Sequence, residues 1–99
     1  MADEKITVLA ILKAKAGSEE NLKATALSLI EPTRTEAECI SYDLHQDTAE
    51  PARLMFYENW QSKQALDRHI QTPHLQDFLA KSKALLAGPL DVTIWKKLS

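Results

Sequence analysis

Glycine is scarce in this chain of 99 residues, which contains only Gly17 and Gly88. Two glycines so far apart can form neither a G-x-G-x-x-G turn nor a G-x-x-x-x-G-K loop, and the G-x-S-x-G motif is absent as well. The sequence therefore excludes nucleotide binding through those loops and the usual nucleophile elbow of serine hydrolases.

Cysteine is even scarcer, since Cys39 is the only one. One thiol can form neither an intrachain disulfide nor a multi-cysteine metal site, and Cys39 is predicted to be a small buried hydrophobic residue rather than a nucleophile. The three histidines are His45, His69 and His74, and no two of them stand four residues apart on a helix. Strand alternation also directs His45 to the other sheet face, so the sequence predicts no metal site.

An excess of charge of one sign and long apolar runs are lacking too. The net charge of -2 arises from interspersed acids and bases, so we expect neither nucleic acid nor a membrane surface as a partner. The first apolar run ends at Lys13 and is too short for a secretory or membrane-spanning segment. We therefore expect a cytoplasmic location. The length and the apolar fraction of 44% predict one domain over residues 1–99, with its core at about 6–98.

Four segments have the apolar or alternating pattern of β-strands, and they cover residues 6–13, 39–46, 53–60 and 90–98. The polar segment 47–51 predicts that the second and third strands form an antiparallel hairpin. In the second strand, alternation places Ile40, Tyr42 and Leu44 on one face.

Two helical segments separate these strands. The first begins after Ser18, a favourable N-cap, and Pro32 is expected to end it near residue 30 or 31. The second begins after Ser62, is broken at Thr72-Pro73 and stops at residues 88–89. The resulting order, β-α-β-β-α-β, predicts a ferredoxin-like α+β fold with a four-stranded antiparallel sheet and helices on one face.

The sheet face that the helices leave open carries several large apolar side chains, namely Leu9, Ile11, Met55, Tyr57 and Trp95. A contiguous patch of this kind usually marks an interface. We therefore expect a homodimer in which two sheets pack face to face, and scattered exposed apolar residues are the alternative explanation.

Six segments follow one another in a characteristic order: Glu31-Pro32-Thr33-Arg34-Thr35-Glu36, residues 39–47, Tyr57-Glu58-Asn59-Trp60, Ala65-Leu66, His69, and Thr72-Pro73-His74. Together they resemble the antibiotic biosynthesis monooxygenase (ABM) family, in particular its small bacterial quinol-monooxygenase-like members. The resemblance covers residues 6–95 and departs at Ala37-Glu38, where the family often has proline and glycine. It implies a dimeric α+β barrel with one pocket per subunit, and oxidation of hydroxylated aromatics or quinols by O2 without metal or flavin.

Five residues are candidates for the site. His69 is the proposed base, because an imidazole with a pKa of about 6.5 accepts a phenolic proton at neutral pH. Glu58 lies among core-facing residues and is expected to pair with His69. Tyr42, Trp60 and His74 are candidate substrate-binding residues. Each also has a purely structural explanation, such as core packing for Trp60 or a solvated helix start for His74.

The function predicted from the sequence is a cofactor-independent monooxygenase that oxidises a small hydroxyaromatic or quinol, with His69 as the base. Two alternatives stay open. The first is an isomerase of a small phosphorylated sugar or diketone that uses the same acid–base pair, and the second is a small-ligand-binding dimer without catalysis.

Overall fold

The computed structural model describes residues 4–99, which form one sheet flanked by helices. The strands are β1 (Ile6–Lys13), β2 (Cys39–Gln46), β3 (Arg53–Trp60) and β4 (Asp91–Trp95). The helices are α1 (Glu19–Leu27), α2 (Ile30–Arg34), α3 (Lys63–Gln71) and α4 (Pro73–Ser82).

The sheet has the strand order β2-β3-β1-β4, and all neighbouring strands are antiparallel. One row of paired residues crosses it from edge to edge: Tyr42 is opposite Glu58, Glu58 opposite Val8, and Val8 opposite Ile94. Because paired residues project to the same side of a sheet, this row lies on the face that the helices cover. The predicted ferredoxin-like α+β fold is confirmed.

The core lies between this inner face and the helices. Leu22 and Ala26 of α1 and Phe78 of α4 are buried against the sheet, where Phe78 meets Phe56 edge to face at 6.1 Å between ring centroids. Burying an aromatic or leucine side chain stabilises the fold by roughly 1.5–3 kcal/mol, so these contacts hold the helices in place over the sheet.

The first helical segment breaks earlier than predicted, and the proline lies inside the second piece. The helix α1 ends at Leu27, and α2 includes Pro32. A proline ring clashes with the carbonyl four residues before it, here that of Ser28, and it lacks the N–H that would bond there. The break therefore falls one turn ahead of Pro32, where the N–H of Leu29 bonds instead to the carbonyl of Ala26 at 3.1 Å.

The helix α1 begins after Ser18 as predicted, but the expected capping bond is missing, and the bounds of α4 and of the last strand differ from the prediction. Ser18 precedes α1, but within residues 4–99 its side chain makes no capping hydrogen bond, and the Glu19 carboxylate accepts the N–H of Gly17 instead. The helix α4 ends at Ser82 instead of continuing to residue 88, and the last strand covers Asp91–Trp95 instead of residues 90–98.

Ser62 and Thr72 cap α3 and α4 at the two helix starts that the sequence predicts. The hydroxyl of Ser62 accepts the N–H of Ala65 at 3.1 Å, and that of Thr72 accepts the N–H of Leu75 at 3.3 Å. The Thr72 hydroxyl also donates to the carbonyl of His69 at 2.7 Å, so one side chain ends α3 and starts α4. This junction fixes His69 and the residues after Thr72 relative to each other.

A β-bulge in β2 corrects the predicted alternation. Cys39 is opposite Trp60 and Ser41 is opposite Asn59, so Ile40 is an extra residue with no partner of its own on β3. Ile40 is consequently 45% exposed, whereas Tyr42 lies in the core as predicted.

The outer sheet face and the edge strand are the apolar parts that the fold leaves open. On the outer face, Tyr57 and Trp95 are 40% and 55% exposed, and Leu9, Ile11 and Met55 are partly buried. Val92 and Ile94 of β4 point to the inner side, yet about half of each remains exposed. Among residues 4–99, no helix has the length and apolar character needed to cross a bilayer.

Candidate active site

A cavity of about 290 Å³ lies between the inner sheet face and the helices α3 and α4. Its walls are almost entirely apolar, and the polar or charged side chains among its lining residues are Tyr42, Glu58, Lys63 and His69. An apolar cleft with a few convergent polar groups is the usual form of a small-molecule site, and this volume is at the lower end of the range. The cavity is bordered by the exposed Val92 and Ile94, which gives it an opening along β4.

Glu58 lies on β3 and is 5% exposed. Its Oε1 accepts a hydrogen bond of 2.9 Å from the indole Nε1–H of Trp60, the next residue on the same strand face. Burial raises the pKa of Glu58 to about 7; the indole hydrogen bond opposes this effect, and the negative charge of Glu36 adds to it. The carboxyl group is therefore able both to donate and to accept a proton near neutral pH.

His69 is positioned by the last turn of α3 and is almost fully buried. Its Nδ1 lies 2.8 Å from Oε2 of Glu36. Because a carboxylate can only accept, Nδ1 carries the imidazole proton, and Nε2 keeps a free lone pair. Burial lowers the pKa of His69, although the hydrogen bond and charge of Glu36 oppose this effect, and the neutral imidazole is favoured at pH 7.

The ring of His69 is held between aromatic side chains. Its centroid lies 4.6 Å from that of Trp60 and 5.4 Å from that of Tyr42, which meets it edge-on. Within residues 4–99, Nε2 has no hydrogen-bond partner, so this nitrogen is left for a molecule in the cavity.

His74 approaches the same carboxylate from α4. Its Nε2 lies 2.7 Å from Oε2 of Glu36, the oxygen that His69 also contacts. These three side chains place one oxygen and two nitrogens within 4.8 Å of one another, an arrangement that is able to hold a metal ion. His45, by contrast, is exposed on the outer face opposite Met55.

Three of the five candidate residues, Tyr42, Glu58 and His69, line the cavity. Trp60 lies behind them, fully buried in the core, and His74 lies beyond the cavity wall beside Glu36. Trp60 and His74 therefore do not line this cavity.

The predicted hydrogen bond between Glu58 and His69 does not form. Glu58 bonds to Trp60, because side chains two residues apart share a strand face, and His69 bonds to Glu36. Glu36 is not among the five residues predicted for the site, because 33 residues separate it from His69 and 38 separate it from His74. Glu31 and Glu38 stand close by in the sequence, and no local pattern distinguishes Glu36 from them.

Two further reactive side chains near the site, the Tyr42 phenol and the Cys39 thiol, are protonated at neutral pH. Burial raises the pKa of the Tyr42 phenol above its usual range, so its hydroxyl stays a neutral hydrogen-bond donor. Burial also raises the pKa of the Cys39 thiol to about 11, and the charges of Glu36 and Glu58 add to that effect. Cys39 is therefore a poor nucleophile at neutral pH.

The sequence profile of the antibiotic biosynthesis monooxygenase family matches residues 5–81. The chain belongs to this family. A Bacillus subtilis relative named "Putative monooxygenase YcnE" is 36% identical over 87 residues, which cover 88% of this chain and 92% of the relative. The solved structure of Rv0793 from Mycobacterium tuberculosis superimposes with a TM-score of 0.92 and 31% identity, and 97% of each chain is covered.

A longer relative is known from Synechocystis. This relative, named "Uncharacterized protein sll1783", is 40% identical over 95 residues. The match covers 96% of this chain but only 65% of that relative. Together the profile and the relatives show family membership, and the word monooxygenase stands in the family description and in the name of the Bacillus subtilis relative.

Proposed function

We propose that this protein is a cofactor-independent monooxygenase that oxidises a small hydroxyaromatic or quinol with O2. One observation carries the proposal: His69 lines an apolar cavity while Glu36 holds its Nδ1 at 2.8 Å, which leaves Nε2 as the nitrogen available to a substrate. The family match and the Bacillus subtilis relative named as a monooxygenase support the reaction class.

His69 acts first, as the general base. Nε2 removes a proton from a hydroxyaromatic whose keto tautomer has a CH2 group, and the Glu36 carboxylate stabilises the imidazolium that forms. The apolar walls favour a flat, uncharged substrate, and the Tyr42 hydroxyl donates a hydrogen bond to its oxygen.

Oxygen reacts with the resulting anion. The anion transfers one electron to O2, and the radical and superoxide combine to form a C–O bond. The peroxide takes the proton back from His69, which then removes the second hydrogen of that carbon. The O–O bond breaks, and protonated Glu58 donates its proton to the departing hydroxide, which leaves as water. Proton transfer from His69 back to Glu58 restores both groups, and the net change is CH2 + O2 → C=O + H2O.

Oxygen uptake tests the proposal. Metal-free protein is mixed with a panel of reduced quinols, including menadiol, beside His69→Ala, Glu36→Gln and the control His45→Ala. We expect uptake above the autoxidation background, lost roughly 10²–10⁴-fold in His69→Ala and reduced about 10–100-fold in Glu36→Gln. His45→Ala changes an exposed residue of the outer face and should match the wild type. Equal uptake by all four proteins would refute the role of His69.

An isomerase is the second candidate, because His69 and Glu58 line one cavity and the cationic Lys63, whose Nζ pairs with Asp67 at 2.8 Å, also lies in its lining. A base and an acid suffice to move a proton along a sugar or diketone, and a lysine binds phosphate. Under nitrogen and in D2O, such an enzyme would incorporate deuterium into a phosphorylated sugar. Ligand binding without uptake or exchange would favour a non-catalytic binding role.

We also propose that the outer sheet face joins two copies into a homodimer. Tyr57 and Trp95 are large and substantially exposed there, beside the partly buried Leu9, Ile11 and Met55. Two such faces would cover one another across a two-fold axis. A chain mass of 11.1 kDa by light scattering at micromolar concentration would exclude this dimer.

A further inference from the structure

The cluster of Glu36, His69 and His74 supports the base His69 through hydrogen bonds, and the same three side chains are typical metal ligands. We propose that these three side chains bind one divalent transition-metal ion, of which Zn²⁺ and Co²⁺ are the test cases, and that the bound ion switches off His69. The binding step stands independently of the proposed monooxygenase function, whereas the inhibitory step rests on it.

The donor atoms already converge. Nδ1 of His69 and Nε2 of His74 lie 2.8 and 2.7 Å from the same Oε2 of Glu36, and all three atoms are within 4.8 Å of one another. At the usual Zn–N and Zn–O distances of about 2.0–2.2 Å, ligand atoms of a tetrahedral site stand roughly 3.4 Å apart. Shifts of about 1 Å in the side chains would therefore admit an ion.

The two more accessible members of the cluster allow this movement. The side chains of Glu36 and His74 are 16% and 24% exposed, whereas that of His69 is fixed in the core at 3%. Glu36 belongs to the loop between α2 and β2, and His74 lies in the first turn of α4. Solvent can thus deliver the ion and supply the remaining ligands as water, and two imidazoles with one carboxylate suit first-row metals from Fe²⁺ to Zn²⁺.

The bound ion would change which nitrogen of His69 carries a proton. A neutral imidazole that coordinates metal through Nδ1 has its single proton on Nε2. In the metal-free protein, the hydrogen bond to Glu36 keeps the proton on Nδ1, so Nε2 is free to accept one. Metal binding and base catalysis by His69 therefore exclude each other.

Binding is tested first, with tag-free protein treated with a chelator. Zn²⁺ is titrated by calorimetry, and Co²⁺ by its visible absorption, which is intense only when the ion is four- or five-coordinate. Glu36→Gln keeps the size of the side chain, and His74→Ala truncates a partly exposed residue, so neither leaves a large core cavity; circular dichroism checks their folding. His45→Ala is the matched control.

We expect one saturable site in the wild type and in His45→Ala. Affinity should fall about 10–100-fold or more in Glu36→Gln and His74→Ala, because each loses one of three ligands. Absence of saturable Zn²⁺ binding and of a Co²⁺ band would overturn the proposal. If both ligand variants bound the ion with the affinity of the wild type, the ion would lie elsewhere, and the proposal would be overturned as well.

Inhibition is tested with oxygen uptake. Zn²⁺ should lower wild-type uptake in proportion to occupancy of the site, and a chelator should restore the uptake. In His74→Ala, a higher Zn²⁺ concentration should be needed to inhibit uptake by the same fraction of the metal-free rate of that variant. Uptake that is unchanged at full occupancy would refute the inhibitory step. If no substrate supports uptake by metal-free protein, the proposed function fails, and the titration alone still decides whether the site exists.

Discussion

The indole Nε1–H of Trp60 donates a hydrogen bond of 2.9 Å to Oε1 of Glu58, and both side chains are buried on the inner face of β3. A neutral donor stabilises the carboxylate only in part, since it offsets some of the cost of burial without supplying an opposite charge. Glu58 therefore has a pKa of about 7 and enters the cavity as a carboxyl group that titrates near neutrality.

The pH dependence of stability should reveal Glu58. The folded state keeps the proton of this carboxyl up to about pH 7, whereas the unfolded chain releases it near 4.5. The free energy of unfolding should consequently fall as the pH rises through that window, by up to about 3 kcal/mol from this group. Glu58→Gln cannot titrate, and its amide oxygen still accepts from Trp60. Urea unfolding at pH 5 and pH 8 should show a smaller loss in the variant, and parallel pH profiles would contradict the shift.

Removing the indole donor should raise the pKa of Glu58 further. In Trp60→Phe the carboxylate loses the hydrogen bond that favours its charged form, so its titration should move above pH 7. Carbon-13 NMR of the labelled glutamate carboxyl measures this directly. The matched control is Trp95→Phe, because the indole of Trp95 donates to the exposed Thr93 and lies on the other sheet face. An unchanged Glu58 titration in Trp60→Phe would disprove the coupling.

Filling the cavity should block ligands while the protein stays folded. Ala10 lines the cavity between Phe56 and Val92 on the neighbouring strands, so Ala10→Leu projects extra carbons into the space that a substrate needs. Affinity for any cavity ligand should fall about tenfold or more. Ala24→Leu, on an exposed position of α1, is the control. Ligand binding that survives in Ala10→Leu would place the ligand site elsewhere.

A charge on the outer face should separate the proposed dimer. Trp95→Glu places a carboxylate where two apolar faces would meet, and burying an unpaired charge costs several kcal/mol. Light scattering at micromolar concentration should give twice the chain mass of 11.1 kDa for the wild type and the single mass for the variant. Leu98→Glu changes a residue that is 90% exposed outside β4 and should remain dimeric. Identical masses for all three proteins would argue against this interface.

The sequence revealed the elements whose cause is local. Ser62 and Thr72 cap helices through side-chain hydrogen bonds to backbone groups three residues away. Helix starts of this kind can be predicted from the local sequence without knowledge of the tertiary structure. The predicted helix end at residue 30 or 31 is wrong, because the steric effect of Pro32 acts one turn upstream and the break follows Leu27. The Glu36–His69 hydrogen bond could not be foreseen, since it joins a loop to a helix 33 residues later and depends on how both pack against Trp60.

The bulge at Ile40 sets the reach of the loop that carries Glu36. Because the bulge absorbs one residue, Cys39 and Tyr42 both face the core although three steps of alternation separate them. Without Ile40, the chain before β2 would shift along the strand by about 3.3 Å, which is far enough to break the 2.8 Å hydrogen bond between Glu36 and His69. Ile40 thus works as a spacer. Its side chain lies outside the core, and its backbone adds the length that lets the loop before β2 place the Glu36 carboxylate beside His69.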